Sequence, residues 1–347
     1  MDLICILESL SIKNKLILLI SYKNITLYLA MKKFSEFFEN WLHQNYYKKV
    51  TKIGKEGDFF TAVSVGNLFG TLIAQHFLDL IDKKILTPPL QVVEIGANEG
   101  YLSKDFLSAL LEFRPELFKE IEFYIIEPHS KLQNLQKHTL QNIDFHHKNS
   151  LKECEFENAF IFCNELFDSF SCELINEDKM AFIENFEIHF LAMDDYTKSK
   201  CQELKLLKGE LSFALEDFFK DLNKACKKFI LAGFDYGVLN PNSLSLRIYQ
   251  NHKIFNPFTS KLQDFFGQSD LTYDVNFTHL YQLCDFYNFK ILSFEKQKEA
   301  LLHFGFEKLL KYTQDKNIKS YENFLQQAKY LFFHFNDKFH FFEIQKA

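Results

Sequence analysis

Residues 92–100, with the sequence VVEIGANEG, could form a turn that binds part of a small molecule. The apolar start predicts a buried strand, and Gly96 then permits a tight turn at the carboxyl end of that strand, where open α/β sheets bind ligands. Gly100 lets the following helix or a ligand approach closely, and Asn98 stands between the two glycines. Because G-x-N-x-G differs from the dinucleotide pattern G-x-G-x-x-G, the spacing alone also fits a turn without a ligand.

An acidic residue at the end of the next predicted strand narrows the chemistry. Glu127 closes the segment EFYIIE, where a carboxylate can accept hydrogen bonds from both hydroxyl groups of a ribose. The turn and this carboxylate together favour a ribose-bearing cofactor. S-adenosylmethionine (SAM) fits better than NAD, because SAM has no pyrophosphate that needs a third glycine and its methionine carboxylate can bind N–H groups of the turn. NAD stays an alternative, as does a solvated strand end.

A third group of polar residues follows the strand-like segment AFIFC. Asn164, Glu165 and Asp168 come after it, and parallel strands open their carboxyl ends onto one crevice, so these residues can reach a substrate beside the cofactor. Two carboxylates at i and i+3 could hold a cation or remove a proton. Alternatively, Asn164 caps the next helix and the two acids favour the positive end of that helix.

The elements that would position these residues alternate between strands and helices, which predicts an α/β fold with a doubly wound, Rossmann-like sheet and right-handed crossovers. Strands are predicted at residues 92–95, 122–127, 144–147, 159–163, 228–234 and 339–344, and helices at 34–42, 65–81, 102–113, 211–226, 299–311 and 321–333. Residues 172–193 alternate without helical spacing, which predicts an inserted antiparallel hairpin or edge strands.

The chain divides where its composition changes. Residues 1–30 hold an apolar run that is too short to span a bilayer and lacks the layout of a signal peptide, so we expect an upstream extension and a true start at Met31. We assign residues 31–90 to an N-terminal helical segment. Residues 91–347 form the predicted cofactor-binding domain, with insertions at about 170–210 and 238–280 for a hairpin and helical substrate region.

Composition limits the class of protein. The 347 residues, of which 47% are hydrophobic, can bury a large core, and the formal net charge of −6 argues against a nucleic-acid partner. Seven cysteines stand singly, which fits a reducing compartment, so we expect buried thiols, no metal site and a cytoplasmic location. No long apolar run follows residue 31, so we expect no membrane insertion.

Seven motifs in order resemble the MidA-type class I SAM-dependent methyltransferases, from about Phe34 to the C-terminus. They are Gly57-Asp58-Phe59-Phe60-Thr61 with Leu68-Phe69-Gly70; VVEIGANEG; YIIEPH; Asn164-Glu165-Leu166-Phe167-Asp168; Phe234-Asp235-Tyr236-Gly237; Ser245-Leu246-Arg247-Ile248-Tyr249 with His252; and Gly267, Asp270-Leu271-Thr272 and Val275-Asn276-Phe277. The mitochondrial members of this family are complex I assembly factors that methylate an arginine of a complex I subunit.

The resemblance implies a role for each matching residue. The implied cofactor-binding residues are Glu94, Gly96, Asn98, Gly100, Glu127, Asn149, Ser150 and Asn164, with the glycine turn at the methionine end of SAM, Glu127 at the ribose and the pair 149–150 near the adenine. The implied catalytic residues, which would face the methyl acceptor, are Glu165, Asp168 and Asp58, with Asp235 and Tyr236 lining the same mouth.

The sequence departs from the family pattern at three places. Asn98 replaces the usual middle glycine, which the turn tolerates because asparagine enters left-handed conformations readily. Residues 62–64 read Ala-Val-Ser where the family usually has Ser-Pro-Glu, so a carboxylate expected beside the acceptor is missing. Asn276 stands in for an aspartate. These changes are compatible with the predicted cofactor, but the sequence does not identify the methyl acceptor.

We therefore predict a SAM-dependent methyltransferase that acts on a protein side chain, which is arginine by resemblance. Glu165 is the first choice to pair with a guanidinium, and Asp168 the second. A respiratory complex subunit is the candidate partner, and a homodimer is a candidate assembly. Two alternatives remain: a catalytically degenerate methyltransferase fold that acts as an assembly or binding partner, and an NAD(P)-dependent oxidoreductase.

Overall fold

The computed structural model describes residues 31–49, 61–333 and 337–347, so the predicted extension at residues 1–30 lies outside the described residues. Within these residues the strands are β1 Lys32–Lys33, β2 Leu90–Ile95, β3 Ile121–Ile126, β4 His146–Lys148, β5 Phe156–Asn164, β6 Glu173–Asn176, β7 Lys179–Glu184, β8 Glu187–Ala192, β9 Lys208–Leu211, β10 Cys226–Val238, β11 Arg247–Gln250, β12 Lys253–Phe255, β13 Asp270–Thr272, β14 Val275–Asn276, β15 Lys290–Lys296 and β16 Phe339–Lys346.

The α-helices of the same residues are α1 Phe34–Glu39, α2 Tyr47–Lys49, α3 Ala62–Val65, α4 Leu68–Asp82, α5 Tyr101–Phe113, α6 Pro115–Phe118, α7 Ser130–Thr139, α8 Asp195–Leu204, α9 Phe213–Ala225, α10 Phe277–Phe286, α11 Gln297–His303, α12 Phe306–Lys316 and α13 Ile318–Phe333. A π-helix at Asn40–Tyr46 joins α1 to α2.

The largest sheet is the predicted doubly wound sheet. Among the described residues it has eight strands in the order β15-β16-β10-β5-β2-β3-β4, with β14 paired to β10. Five adjacent strands are parallel, namely β4, β3, β2, β5 and β10. By contrast, β16 is antiparallel to both of its neighbours, β10 and β15. In the sheet, β3 lies on one side of β2 and β5 lies on the other side. The order of the strands therefore reverses between β2 and β5, and open α/β sheets bind ligands at the carboxyl ends of the strands beside such a switch point.

Helices cover both faces of this sheet, because its central strands carry apolar side chains on both sides. Alternate residues of β5 point to opposite faces: Phe160 and Phe162 join the core under α4 and α5, and Ile161 joins the core under α9 and α10. The helices α11, α12 and α13 pack on the first of these faces. This two-sided core fixes the strand ends from which the polar residues project.

The predicted antiparallel insertion is confirmed, and it includes a strand that sequence patterns did not indicate. A second sheet has the order β1-β7-β6-β9, with β8 paired to β7. The segment expected to be helical thus begins with β1, whose Lys32 pairs with Ile183 of β7. Beyond it, Trp41 is fully buried, and its Nε1 donates a hydrogen bond to Ser269 O (2.7 Å) beside the small sheet of β11, β12 and β13.

Three predicted helices were wrong at their boundaries, each for a local reason. Leu211 ends β9, and α9 begins after Ser212, whose Oγ accepts a hydrogen bond from Leu215 N (3.2 Å) as an N-terminal cap. Gly66 has a φ of 147° and separates α3 from α4. Gly305 has a φ of 92° and separates α11 from α12. Both glycine conformations lie outside the right-handed helical region, so a helix cannot pass through them.

Candidate cofactor-binding and active site

A cavity of about 900 Å³, hereafter the main cavity, lies at the carboxyl ends of β2, β3 and β5. This volume is within the usual range of small-molecule sites. The predicted site residues that line it are Glu94, Gly96, Asn98, Glu127, Ser150, Asn164 and Glu165. The structure therefore brings together residues from all three polar groups of the sequence.

The glycine turn after β2 is shaped by left-handed backbone at Gly96 (φ 73°), Asn98 (φ 50°) and Gly100 (φ 85°). A Cβ atom on Gly96 would lie 3.0 Å from Leu166 Cδ1, so a larger residue would intrude into the turn. The N–H groups of both glycines are used internally, by Ile126 O (3.0 Å) and Ala97 O (2.7 Å). The glycines therefore set the form of the turn, and Gly100 itself does not line the main cavity.

Gln136 of α7 joins this turn to the predicted ribose-binding carboxylate. Its Nε2 donates to Asn98 O (2.7 Å) and lies 3.4 Å from Glu127 Oε2. A Cβ on Gly100 would lie 3.4 Å from Gln136 Cα, so the glycine permits this close approach. Gln136 is fully buried and was missed in the sequence, because glutamine on a helix carries no motif.

Glu127 lies just beyond the end of β3 and is 2% exposed. Its Oε1 accepts a hydrogen bond from His129 N (3.0 Å). Burial raises the pKa of Glu127 to about 7, against the opposing effect of these hydrogen bonds. A carboxylate in this state has unused acceptor capacity and is poorly solvated, so hydroxyl donors of a ligand would stabilise its ionised form.

Two further polar side chains lie at the turn: Glu94 beneath it and Asn98 within it. Ser103 Oγ donates a hydrogen bond to Glu94 Oε2, and burial raises the pKa of Glu94 to about 8. Asn98 Oδ1 is buried and has no hydrogen-bond partner among the described residues, and the same is true of Asn164 Oδ1. Buried acceptors of this kind favour a ligand that brings hydrogen-bond donors.

Glu165 lies on an unusual turn at the end of β5. Its backbone is left-handed, with a φ of 52°, and its N–H donates to Phe234 O (2.8 Å). Such a conformation in a non-glycine residue is strained by about 1–3 kcal/mol and persists only where surrounding contacts enforce it. Asn164 Nδ2 donates to Glu165 Oε1 (2.9 Å). Burial, with the nearby Asp168 carboxyl, raises the pKa of Glu165 to about 8.

The alternative interpretation, in which Asn164 caps the following helix, is wrong. Asp235 makes that contact: its Oδ2 accepts hydrogen bonds from Leu166 N (3.1 Å) and Phe167 N (2.7 Å). Asp235 is 1% exposed and does not line the main cavity, so it supports the turn that presents Glu165 and does not form the mouth. Tyr236, the second residue expected at the mouth, packs on Phe339 with 4.4 Å between ring centroids.

Besides Gly100, two predicted site residues in the described part of the chain do not line the main cavity. Asp168 is buried outside the lining, where its Oδ2 accepts a hydrogen bond from Thr272 Oγ1 (2.7 Å), and burial raises its pKa to about 6. Asn149 is exposed and binds Glu153 Oε1 (3.0 Å), because neighbouring side chains after β4 face opposite ways and only Ser150 faces the main cavity. Asp58 lies outside the described residues.

An aromatic wall beside Glu127 was also missed. The rings of His43 and His129 stack at 5.7 Å between centroids and 8° between planes, and Tyr47 lies 5.4 Å from His129. Burial and the neighbouring His43 lower the pKa of His129 to about 4, so this ring is neutral near pH 7. His129 is the last residue of the quoted segment YIIEPH, but His43 comes from the π-helix, which no local pattern connects to β3.

The described residues include no helix with the length and apolar character needed to cross a membrane. In the same part of the chain, no three His, Cys, Asp or Glu side chains are grouped so as to hold a metal ion. The cysteines at positions 154, 163, 172, 201, 226 and 284 are buried thiols, as expected.

The sheet order and the cavity at its switch point define a doubly wound, Rossmann-like α/β architecture with a small-molecule site. A Burkholderia thailandensis protein solved with S-adenosylhomocysteine bound has a similar fold, with a TM-score of 0.75 and 18% identity over 93% of this chain and 90% of that one. A native crystal structure of a superfamily member from the same organism has a TM-score of 0.73 and 17% identity over the same shares of the two chains. At such identity the likeness concerns the fold.

The chain belongs to the S-adenosyl-L-methionine-dependent methyltransferase family Methyltransf_28, whose model matches residues 72–294. The predicted MidA-type resemblance, fold class and cofactor are thereby confirmed. These comparisons give no support to the oxidoreductase alternative.

Curated relatives match shorter stretches. The mitochondrial protein arginine methyltransferase NDUFAF7 homologue of Drosophila melanogaster is 30% identical over 82 residues, which are 24% of this chain and 18% of the relative. Mitochondrial protein arginine methyltransferase NDUFAF7 of Mus musculus is 29% identical over 98 residues, which are 28% of this chain and 22% of the relative. Each match thus spans about a fifth of the relative's own length.

Proposed function

We propose that this methyltransferase transfers the methyl group of SAM to an arginine side chain of a protein. The observation that carries the proposal is Glu165, a carboxylate that lines the main cavity together with Asn98 and Glu127. A guanidinium is a planar cation that carboxylates bind well. The names of the fly and mouse relatives, which are protein arginine methyltransferases, support the same acceptor.

The donor groups of SAM match the unsatisfied acceptors of the main cavity. We infer that Asn98 Oδ1 and Asn164 Oδ1 accept hydrogen bonds from the methionine ammonium, since neither atom has another partner among the described residues. Glu127 would accept from the ribose hydroxyls. Ser150 and the stacked rings of His43 and His129 would adjoin the adenine, because aromatic faces and bases stack favourably.

Bound SAM supplies an electrophilic methyl group on its sulfonium. The protein's task is to hold the acceptor nitrogen in line with that group and to exclude water, because positioning alone supplies much of the rate in such displacements. When the new C–N bond forms, the acceptor nitrogen releases a proton. Burial raises the pKa of Glu165 to about 8, and the charge of a bound guanidinium would lower this pKa. Glu165 would then hold the guanidinium as an ion pair and accept this proton.

The test is to incubate the purified chain with methyl-labelled SAM and lysate from a strain that lacks it, then to identify the labelled residue by mass spectrometry. We expect methylarginine in a protein. Label on another residue type, or on a small molecule, would refute the arginine acceptor while leaving the methyltransferase intact. A respiratory complex subunit stays the candidate partner, and the cytoplasmic location and the homodimer stay predictions.

One observation favours a second function, that of a catalytically degenerate binding partner. Ser64 lines the main cavity at the point where the sequence departs from Ser-Pro-Glu, so no carboxylate is supplied there. The same experiment separates the two functions. S-adenosylhomocysteine binding without any labelled product would support the degenerate form.

A further inference from the structure

A second cavity of about 480 Å³ lies between α5 and the C-terminal helices α12 and α13. Its lining is mostly polar and includes Ser108 and Glu112 of α5, Tyr312 of α12, and Ser320 and Asn323 of α13. The volume suits a side chain with some of its backbone, within the usual range of ligand sites. Nothing in the roles assigned so far uses this cavity.

Two residues, Asn67 and Asp105, line both this cavity and the main cavity. The two spaces therefore meet at these side chains. The close approach of α4 to α5 at this point depends on Gly70, because a Cβ on Gly70 would lie 2.6 Å from Asp105 Cβ. Asp105 is thus held at the junction by helix packing and not by a polar contact.

Asp105 has no hydrogen bond and no ion pair within the described residues. The other charges of the second cavity are already matched: Tyr312 Oη donates to Glu112 Oε1 (3.2 Å), and Lys316 Nζ is hydrogen-bonded to the same Tyr312 oxygen. Burial raises the pKa of Asp105 to about 6, so the group is still mainly ionised near pH 7.5. The charge of the neighbouring Lys104 partly opposes this rise, but no ion pair joins the two side chains among the described residues. A half-buried carboxylate without a directly bound cation favours a cationic ligand.

We propose that the second cavity is a subsite for a cationic side chain, guanidinium or ammonium, that neighbours the methyl acceptor in the protein substrate, and that Asp105 recognises its charge. This inference rests on the proposed function, because it requires a polypeptide substrate that extends beyond the main cavity. The substrate chain would cross the junction at Asn67 and Asp105. The acceptor itself would remain at Glu165.

The probe is butylguanidinium, with the neutral isostere butylurea as its matched control. Each is titrated into the isotope-labelled full chain, with and without saturating S-adenosylhomocysteine, and backbone NMR signals are followed. We expect butylguanidinium to shift signals of α5 and α13 around Asp105 and Ser320, and butylurea to bind at least about tenfold more weakly, as expected when a charge-assisted hydrogen bond is lost.

Three variants locate the site. Asp105→Asn should weaken butylguanidinium binding about tenfold. Ser320→Phe should fill the second cavity and abolish the butylguanidinium shifts of α5 and α13, whereas shifts from the probe bound at Glu165 should remain. This variant should still bind S-adenosylhomocysteine, which shows that it is folded. Glu116 of α6 is exposed and lines neither cavity. It gives the control variant Glu116→Gln, which is expected to bind the probe as the parent does.

Equal binding of the two probes, or parental binding of butylguanidinium by both Asp105→Asn and Ser320→Phe, would overturn the subsite. Shifts confined to the main cavity would do so too. If the unsubstituted chain does not bind S-adenosylhomocysteine, the proposed function is refuted. The titration of the two probes without S-adenosylhomocysteine still tests the subsite by itself.

Discussion

Asp235 Oδ2 lies 2.7 Å from the backbone nitrogen of Phe167 and accepts its hydrogen bond, which fixes the turn that presents Glu165. The same oxygen accepts from Leu166 N, and the other carboxyl oxygen accepts from Tyr236 N (2.9 Å). One buried side chain thus joins the end of β5 to β10. Glu165 keeps its left-handed backbone because both neighbouring strands hold the turn.

Removal of the Asp235 carboxyl should therefore loosen the turn. We expect Asp235→Ala to lower the free energy of unfolding by about 2–4 kcal/mol, because it leaves buried N–H groups without an acceptor. Asp235→Asn keeps one acceptor oxygen and should lose much less. Urea unfolding measures both, with Asp217→Ala on the exposed side of α9 as the control. Similar stabilities for Asp235→Ala and the parent would contradict the assigned role.

The two acidic residues after β5 should differ in their effect on turnover. Glu165→Gln should bind S-adenosylhomocysteine nearly as the parent does but reduce methyl transfer at least about a hundredfold, the usual scale for loss of a general base. Asp168→Asn should stay within about tenfold of the parent, because the amide can still accept the hydrogen bond of Thr272. Labelled-methyl incorporation gives both rates. If Asp168→Asn reduced methyl transfer more than Glu165→Gln did, the carboxylate assigned to bind the methyl acceptor would be the wrong one.

Binding of the cofactor should depend on the ionisation of Glu127. Its pKa of about 7 means that the ionised fraction falls as the pH decreases through neutrality. S-adenosylhomocysteine affinity should fall in the same direction, and binding at pH 6 should release a proton, because ribose hydroxyls stabilise the carboxylate. Calorimetry in buffers of different ionisation enthalpy measures this proton.

Glu127→Gln should weaken binding about tenfold and remove the proton release. Glu122→Gln, at the exposed start of β3, is the matched control. If Glu127→Gln kept the pH dependence of the parent, another group would be responsible for it.

Two substitutions in the glycine turn should separate stability from binding. Gly96→Ala should lower the free energy of unfolding by about 1–3 kcal/mol and also weaken binding, since the new Cβ meets both an unfavourable φ and Leu166. Asn98→Gly suits the left-handed backbone and should leave stability unchanged, yet it should weaken S-adenosylhomocysteine binding through loss of Oδ1. Thermal unfolding and calorimetry test the pair, and parental affinity in Asn98→Gly would refute the role of that oxygen.

The parts of the site that could be predicted from sequence are those set by local geometry. Glu127 and the turn at Gly96 each follow directly from a buried strand, and parallel strands bring their carboxyl ends together. The fold class was predictable for the same reason, because alternating elements leave few topologies. The antiparallel insertion followed from side-chain alternation alone.

The predictions that missed depended on backbone details or distant contacts. Pairing Glu165 with Asp168 assumed helical spacing, but the φ of 52° at Glu165 and a 3₁₀ turn at Phe167–Ser169 send the two carboxyl groups to different surroundings. His43 and Asp105 reach the cavities through packing between helices far apart in sequence. Local patterns contain no information on such contacts.

The π-helix Asn40–Tyr46 contacts two parts of the molecule at once. Trp41 anchors it beside the small inserted sheet, and two residues later His43 forms part of the wall next to Glu127. A fragment cut at residue 91 would keep the parallel strands but lose this wall. We therefore expect the residues that precede β2 to be needed for a complete wall beside Glu127.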